Sequence, residues 1–515
     1  MTLDRPAPSR SRANSHAVEG RGTRRALLAV ACAALLASAP ALALDLREAY
    51  EAAQRYDAQL NSARLQLEAV RERLPQARAG LKPSLGAQVG ANVGRYDTDI
   101  TPQRSFDNVQ GALNFAFPLY RPGRGALVDQ AEIGVRLAEA QLGLAAQDLV
   151  TRVAVAYFEV LAARDAVEVA EAQRRAISEQ FEAAKRNFEV GTATITDQQE
   201  AQARLDLNDA QLAAARNDLT LRQAALTNLT GVPSEGLETL KLEVPLPAPD
   251  PGDIEAWTRL AREANYAVQQ AELAQAIARL DIDRARYDKR PVVDLVSQAA
   301  LLSGKTANSL STPVERTTQL SAGIQLSVPL YSGGALDARE RETVAAFQRS
   351  ESELENARRL SEQGARQAFL GLKSSAEQAR ALEAAAESSR LALDSNLLGY
   401  QVGVRINVDV LNAQQQLFSA LRDLARARYD VLLNTLRLKS TAGTLQAADV
   451  IAIDDLLTPP AERMFPMVTA PGAARGQGAT PAAPRRSPGA ARAAPGGRQS
   501  PAVPGAQSGR RNMPR

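Results

Sequence analysis

The chain has 515 residues and a formal net charge of +3, with 4% aromatic residues, one cysteine and one histidine. The length allows two or more ordinary domains, and so small a net charge argues against a dedicated binder of nucleic acid. The abundance of alanine and the scarcity of aromatic side chains favour long helices that pack closely through small residues.

The first 43 residues are predicted to be a signal peptide. A basic stretch around Arg24 precedes a short apolar run at 26–36, and a small-x-small cleavage motif ends at Ala43. The apolar run is too short to span a bilayer, which takes about 20 residues. An alternative is a lipoprotein signal ending at Cys32, although Ala29 stands where such signals usually carry leucine. Either signal would export the chain to the periplasm.

Cleavage near Ala43 would remove Cys32 and His16, the only thiol and the only imidazole. Zinc sites with Cys or His ligands, Ser-His and Cys-His dyads and CxxC redox chemistry are then excluded by composition. The sequence also has no phosphate-binding glycine loop, HExxH or nucleophile elbow. We therefore expect no metal, no cofactor and no catalytic residue, with a carboxylate-only site as the remaining alternative.

An internal duplication is the strongest pattern in the chain. Phe-Glu-Val-Gly at 188–191 recurs as Tyr-Gln-Val-Gly at 400–403, and Pro-Leu-Tyr at 118–120 recurs at 329–331. Such self-similarity marks a repeated structural unit. The predicted organisation is repeat 1 over 44–243, a linker over 244–253, repeat 2 over 254–457, and a disordered Pro/Ala/Gly/Arg tail over 458–515.

Each repeat is predicted to contain a helix, two strands, a long helix and a return helix. In the first long segment, apolar residues recur at spacings of three, four and seven positions, which indicates a coiled-coil seam. At 1.5 Å per residue these helices would extend on the order of 95 Å. The predicted ranges are 45–79, 84–99, 105–120, 125–189 and 197–230 in repeat 1, and 254–289, 291–304, 318–331, 334–399 and 409–442 in repeat 2.

Three of the four strand-like runs alternate apolar and polar residues over about 10 positions, as membrane barrel strands do, whereas the third, 292–302, is more uniformly apolar. Soluble sandwiches show the same alternation. Four strands cannot form an edge-free sheet in lipid, since barrels close from about 8 strands upward. A membrane-spanning sheet therefore predicts that several chains share one barrel, and a barrel of about twelve strands would hold an open lumen.

With these duplicated parts in order, the chain resembles the TolC family of outer-membrane efflux proteins over about 45–457. The resemblance rests on the segments 188–197 and 400–412, supported by 329–334 and 438–445. It implies a homotrimer with one twelve-stranded outer-membrane barrel, continuous with an α-helical tunnel across the periplasm. It also implies a periplasmic adaptor and an inner-membrane pump, either proton-driven (RND-type) or ATP-driven (ABC-type), serving efflux or type I secretion.

Two other classes compete with this exit duct. A periplasmic coiled-coil adaptor or structural protein would explain the export and the long helices, but not the duplicated strands. A carboxylate-dependent hydrolase lacks any pocket-like motif. The resemblance implies that the duct itself performs no chemistry.

The resemblance also places a gate at the turns between long and return helices. Tyr400 and Arg405 would bond to Asp197 and Thr196, since a guanidinium offers a charge-assisted bond to a carboxylate and a tyrosine a directional hydroxyl. Asp409 would line an acidic constriction ring. The alternative is that these are solvated residues, with Thr196 or Asp197 as a helix N-cap.

The sequence departs from the family at the constriction, where Asn412 replaces a second ring acid. Because ring charge sets ion selectivity, we expect a weaker cation preference than in close family members. Four aromatic residues near the strand ends are interpreted as an interfacial girdle, with plain strand packing as the alternative. They are Phe115, Phe117, Tyr120 and Tyr331.

Overall fold

The structure is a computed structural model that describes residues 44–458 except 99–100, 235, 242–246, 248 and 305–315. The predicted signal peptide and nearly all of the predicted tail lie outside the described residues. The helices are α1 (Leu46–Tyr56), α2 (Ala58–Arg71), α3 (Arg73–Ala79), α4 (Pro122–Glu189), α5 (Ile195–Thr230), α6 (Ile254–Ala264), α7 (Tyr266–Tyr287), α8 (Ala335–Gln401), α9 (Asn407–Thr441) and α10 (Ala447–Asp454). The strands are β1 (Ser84–Thr98), β2 (Thr101–Tyr120), β3 (Thr239–Leu240), β4 (Val292–Gly304), β5 (Arg316–Ser327) and β6 (Leu457–Thr458).

The helix predicted before each strand pair is divided in the structure. Asp57 has an extended backbone, and its carboxylate accepts a 2.6 Å bond from the N–H of Leu60, which begins α2 as a new helix. Asn265 separates α6 from α7 in the same way, accepting from the N–H of Ala267 at 2.8 Å. Apolar periodicity therefore predicted the helical segments but not their breaks, because a short polar side chain competes locally with the helix.

The strands β1, β2, β4 and β5 form one antiparallel sheet in that order. The pairing of β2 with β4 joins the two repeats through main-chain hydrogen bonds. Within the described residues, the outer edges of β1 and β5 have no strand beside them. The sheet is therefore open at both sides.

The register places apolar and polar residues on opposite faces of this sheet. Residues directly opposite on neighbouring strands share a face. One row holds Ala87, Leu113, Ala299 and Leu320, whereas the next holds Gly86, Asn114, Gln298 and Ser321. The apolar face is open to its surroundings in one chain: Val89 is 83% exposed and Leu320 is 79% exposed.

Two strand boundaries differ from the prediction by four residues. β5 ends at Ser327, not at residue 331, because Ser327 lies opposite Val292, the first residue of β4, and nothing remains for later residues to pair with. β2 begins at Thr101, not at residue 105, because its hairpin with β1 continues to the pair Thr98 and Thr101.

The helices α4 and α8 contain 68 and 67 residues. Each is about 100 Å long at the usual rise per residue. Helix α4 begins at Pro122, a favoured first position since proline has no N–H to leave unpaired. It packs against α5 and α9, and α8 packs against α6, α7 and α9. None of the described helices carries an apolar stretch sufficient to cross a bilayer.

The main core lies where α1, α4, α9 and α10 meet. The rings of Phe158 and Tyr429 stack at 5.5 Å, and Tyr157 meets Phe158 edge-on at 5.8 Å. Nearby, β3 pairs with β6 and so ties the end of repeat 1 to the end of repeat 2. These contacts join both repeats in one core.

Gly443 ends α9 in a left-handed conformation with φ of 74°. A Cβ there would overlap the carbonyl of Ala264 and lie 2.9 Å from the Cα of Asn265. Because backbone strain and a backbone clash then add, we expect Gly443→Ala to lower the free energy of unfolding by about 3 kcal/mol. Urea unfolding followed by circular dichroism measures this loss.

Gly191 provides the matched control for that substitution. Its φ is 79°, but nothing lies within 4 Å of an added Cβ. We expect Gly191→Ala to cost only about 1 kcal/mol, the left-handed penalty alone. Equal losses in the two variants would contradict the role assigned to the Ala264 contact.

Candidate functional site

The turns that follow α4 and α8 have the same geometry. Gly191 and Gly403 adopt φ of 79° and 78°. In the first turn the N–H of Thr192 donates to the carbonyl of Asn187 at 2.8 Å, and in the second the N–H of Val404 donates to Gly399 at 2.9 Å. Together with the bonds of the two glycine N–H groups, this is a Schellman cap. The repeated Val-Gly motif is thus a helix stop.

The helix starts after the two turns differ. Thr194 is the N-cap of α5 and forms a capping box with Asp197: Thr194 Oγ1 accepts from the N–H of Asp197 at 3.3 Å, and Asp197 Oδ2 accepts from the N–H of Thr194 at 3.0 Å. Ile406 takes the equivalent place before α9 and gives no side-chain cap. Neither predicted N-cap candidate takes that position, because the N-cap is Thr194: Asp197 is the third residue of the helix, and Thr196 is exposed in the first turn.

The predicted gate residues have other partners within one chain. Tyr400 Oη accepts from Asn187 Nδ2 at 3.3 Å, and Arg405 Nη1 lies 3.5 Å from Asp409 Oδ2. Within the described residues of one chain, neither Tyr400 nor Arg405 bonds to Asp197 or Thr196. The predicted links between neighbouring coils therefore stay a prediction.

Gly399 positions the Arg405 side chain at the end of α8. A Cβ at residue 399 would lie 2.7 Å from Arg405 Cγ. Because Gly399 has no side chain, the aliphatic part of the Arg405 side chain can lie across the C-terminal end of α8. The side chains of both Arg405 and Tyr400 remain accessible at this turn.

A buried chain of amides connects the two hairpins near these turns. Gln180 Nε2 of α4 donates to Asn407 Oδ1 at 2.5 Å, and Asn407 Nδ2 donates to the carbonyl of Asp197 at 3.2 Å. Asn407 is 1% exposed. The sequence analysis missed Gln180 and Asn407, because an amide at a helix start has no pattern that identifies its distant partner.

Asn412, the predicted ring position, contacts the other hairpin. Arg204 of α5 donates to Asn412 Oδ1 at 3.1 Å and to Gln415 Oε1 at 2.6 Å. Asn412 and Gln415 are exposed, and Arg204 is half-buried. Asn412 therefore accepts a bond from a guanidinium of repeat 1, a contact that the family resemblance did not imply.

A second polar link between the repeats lies in the helix core. Tyr429 Oη of α9 donates to Asp165 Oδ2 of α4 at 2.6 Å, and both side chains are buried. Burial raises the pKa of Asp165 to about 7, with the Tyr429 bond acting in the opposite direction. Burial and the Asp165 charge also raise the pKa of Tyr429 well above its ordinary value.

The described residues contain no group of three or more His, Cys, Asp or Glu side chains placed to hold a metal ion. What the geometry offers instead is an exposed apolar sheet face, two long helix hairpins, and polar links at the hairpin ends. These features fit the efflux-channel class of proteins.

Comparison with known proteins agrees with that class. The family model of the outer membrane efflux protein matches residues 49–232 and 257–444. The chain is 32% identical over 410 residues to outer membrane protein TolC of Vibrio cholerae, covering 80% of this chain and 93% of that protein. It is 32% identical over 427 residues to the alkaline protease secretion protein AprF of Pseudomonas aeruginosa, covering 81% and 88%.

The fold also matches a solved structure, the outer membrane protein VceC from Vibrio cholerae, with a TM-score of 0.65 at 19% identity. The match covers 77% of this chain and 96% of VceC, and at this identity it shows the fold alone. The chain belongs to the outer membrane efflux protein family and is an outer-membrane channel protein of the TolC type.

Proposed function

We propose that three copies of this chain form an exit duct from the periplasm to the exterior. One observation carries the proposal: a four-stranded sheet with an exposed apolar face and two open edges is attached to helices of about 100 Å. Edge-to-edge closure of three such sheets would remove every open edge and turn the apolar face toward lipid. The twelve strands obtained in this way enclose a lumen.

The proposed partners follow from family membership. A periplasmic adaptor would engage the helical hairpins, and an RND or ABC pump in the inner membrane would supply the energy. The chain would need no cofactor and catalyse no reaction. Passage of small molecules, of unfolded protein, or of both is consistent with relatives named for efflux and for protease secretion.

The proposed gate lies at the hairpin ends. Tyr400 and Arg405 would bond to Asp197 and Thr196 between neighbouring coils, and Asp409 would line the constriction. Their accessible side chains support this assignment, since exposed links worth about 1 kcal/mol or less hold a closed state that a partner can open.

Single-channel conductance in planar bilayers tests both duct and gate. We expect a small conductance for the wild type and a clear increase for the Arg405→Ser/Tyr400→Phe double variant. Equal conductances would show that the gate lies elsewhere in the same duct. Absence of channels from folded protein, together with extraction from membranes by carbonate, would favour the adaptor alternative.

The contact of Asn412 with Arg204 modifies the expected ion selectivity. An aspartate at position 412 would pair with Arg204, so part of its charge would be neutralised. We expect hexamminecobalt block to strengthen only modestly in Asn412→Asp, and more strongly in the Asn412→Asp/Arg204→Gln double variant.

Arg204→Gln alone is the control for this comparison, measured as the blocker concentration that halves the conductance. Equal block in the wild type, in Asn412→Asp and in the double variant would exclude position 412 from the constriction.

A further inference from the structure

A group of exposed cations lies where the helices join the sheet. Lys82 lies between α3 and β1, Arg124 lies in the first turn of α4, and Arg290 lies between α7 and β4. Each side chain is exposed. We call these three residues the junction cations.

The junction cations differ from their neighbours in forming no ion pair among the described residues, although the charge of Arg124 acts on Asp294. Arg121 forms a two-bond ion pair with Asp294, with distances of 2.7 and 2.5 Å, and Lys289 pairs with Asp337 and Glu340. Within the described part of the chain, no carboxylate oxygen lies within 4.0 Å of any junction cation. Arg290 instead lies over the ring of Tyr287 at 4.9 Å, a contact that leaves its N–H groups free.

The three segments that connect the helices to the sheet and carry these cations pack side by side. A Cβ at Gly80 would lie 2.8 Å from Arg124 Nη1, which brings the guanidinium beside the end of α3. A Cβ at Gly123 would lie 3.8 Å from the Cβ of Tyr287 and 3.9 Å from Asp288 Oδ1. Asp288 supplies a carboxylate at this contact, and Asp294, which also acts on Arg124, is already paired with Arg121.

The apolar face of the sheet ends directly beside this region. Phe117 lies opposite Leu295 near the first residues of β4, and Tyr120 ends β2 one residue before Arg121. Tyr120 is 46% exposed and Tyr331 is 90% exposed. The predicted aromatic girdle therefore lies at the end of the sheet that adjoins the helices. The apolar surface, the aromatic rings and the cations follow one another in the same order as the acyl chains, the interface and the phosphate groups of a phospholipid leaflet.

We propose that Lys82, Arg124 and Arg290 bind the phosphate groups of anionic phospholipids at the periplasmic boundary of the membrane. The proposal rests on the proposed function, since it requires the apolar face to lie in lipid. Each cation near such a surface is expected to strengthen binding roughly fivefold, less at high salt.

The test is lipid retention by the purified full-length protein. Wild type and the Lys82→Gln/Arg124→Gln/Arg290→Gln variant are equilibrated in detergent with equal phosphatidylglycerol and phosphatidylcholine, washed, and analysed by quantitative mass spectrometry. We expect the variant to lose at least about fivefold in retained phosphatidylglycerol, with phosphatidylcholine unchanged. Retention by the wild type should fall with added sodium chloride.

A matched variant removes the same charge from the long helices. Arg175→Gln/Lys373→Gln/Arg380→Gln replaces three exposed cations of α4 and α8 and should retain lipid as the wild type does. Equal loss in both variants, or equal loss of both lipids, would overturn the proposal. Displacement of the lipid by inorganic phosphate, beyond that by sodium chloride of equal ionic strength, would reassign the cations to free phosphate.

Conductance of the same preparations distinguishes a failure of the proposed lipid site from a failure of the proposed duct. Channels of wild-type size with unchanged lipid retention in the junction variant would reject the lipid site alone. Folded protein that forms no channels in any preparation would reject the duct itself.

Discussion

Asp165→Asn is expected to stabilise the protein at neutral and alkaline pH by up to about 4 kcal/mol. The folded chain holds the Asp165 proton up to about pH 7, whereas the unfolded chain releases it near the ordinary value of 3.8. Each pKa unit corresponds to about 1.4 kcal/mol. Unfolding therefore releases a proton between these pH values, and the contribution of Asp165 to stability falls as the pH rises through that window.

The environment of Asp165 explains why its pKa is raised in the folded chain. The carboxyl is 5% exposed, and Glu168 adds a like charge that raises its pKa, while Arg164 and Tyr429 favour the charged form. Burial outweighs these favourable contacts. Asparagine retains an oxygen that accepts from Tyr429 but has no charge to bury.

The measurement is the difference in urea unfolding free energy between wild type and Asp165→Asn from pH 4 to pH 8. Taking the difference removes the contributions of Glu238 and Asp454, whose pKa values burial also raises. The difference should be near zero at the acidic limit and greatest above pH 7. A difference independent of pH would show that Asp165 titrates normally in the folded chain.

Asn407→Ala is expected to raise single-channel conductance several-fold. Asn407 is the only side chain among the described residues that bonds to both Gln180 and the main chain of Asp197. Its truncation leaves the Gln180 amide buried without this acceptor, which costs about 1–3 kcal/mol. Losing both bonds removes a link between the start of α9 and the opposite hairpin, so the hairpin ends should separate more often.

Asn396→Ala is the control for this experiment. Asn396 is half-buried and bonds only within its own helix among the described residues, donating to the carbonyl of Ala392 at 2.9 Å. Its replacement should leave the conductance unchanged. If Asn407→Ala also left the conductance unchanged in folded trimers, the buried amides would serve packing and not closure.

Much of the fold was predictable because its determinants are local. Period-two alternation predicted three of the four sheet strands, and a more uniformly apolar run predicted β4. Apolar spacing predicted the long helices, and the glycines of the repeated motif predicted the turns. The register then placed the alternating residues on common faces. The start of α4 at Pro122 was also readable from the preference of proline for a first helical position, although the prediction began at 125.

The site was less predictable than the fold. The resemblance identified Tyr400, Arg405, Asp197, Thr196, Asp409 and Asn412, but it did not supply their contacts within the chain. Asp197 lies in a capping box, Arg405 pairs with Asp409, and Asn412 accepts from Arg204. Each of these contacts depends on rotamers and helix rotation, which a motif does not specify.

The duplicated helix and strand pattern, the turn positions and the resemblance to the family were readable from the sequence, since they depend on neighbouring residues. The contacts of Gln180 with Asn407 and of Asp165 with Tyr429 become visible only in the folded chain. These partners lie 227 and 264 positions apart. Their pairing follows from how α4 packs on α9. Many polar residues on the long helices have the same local sequence pattern, and only this packing determines which of them are buried.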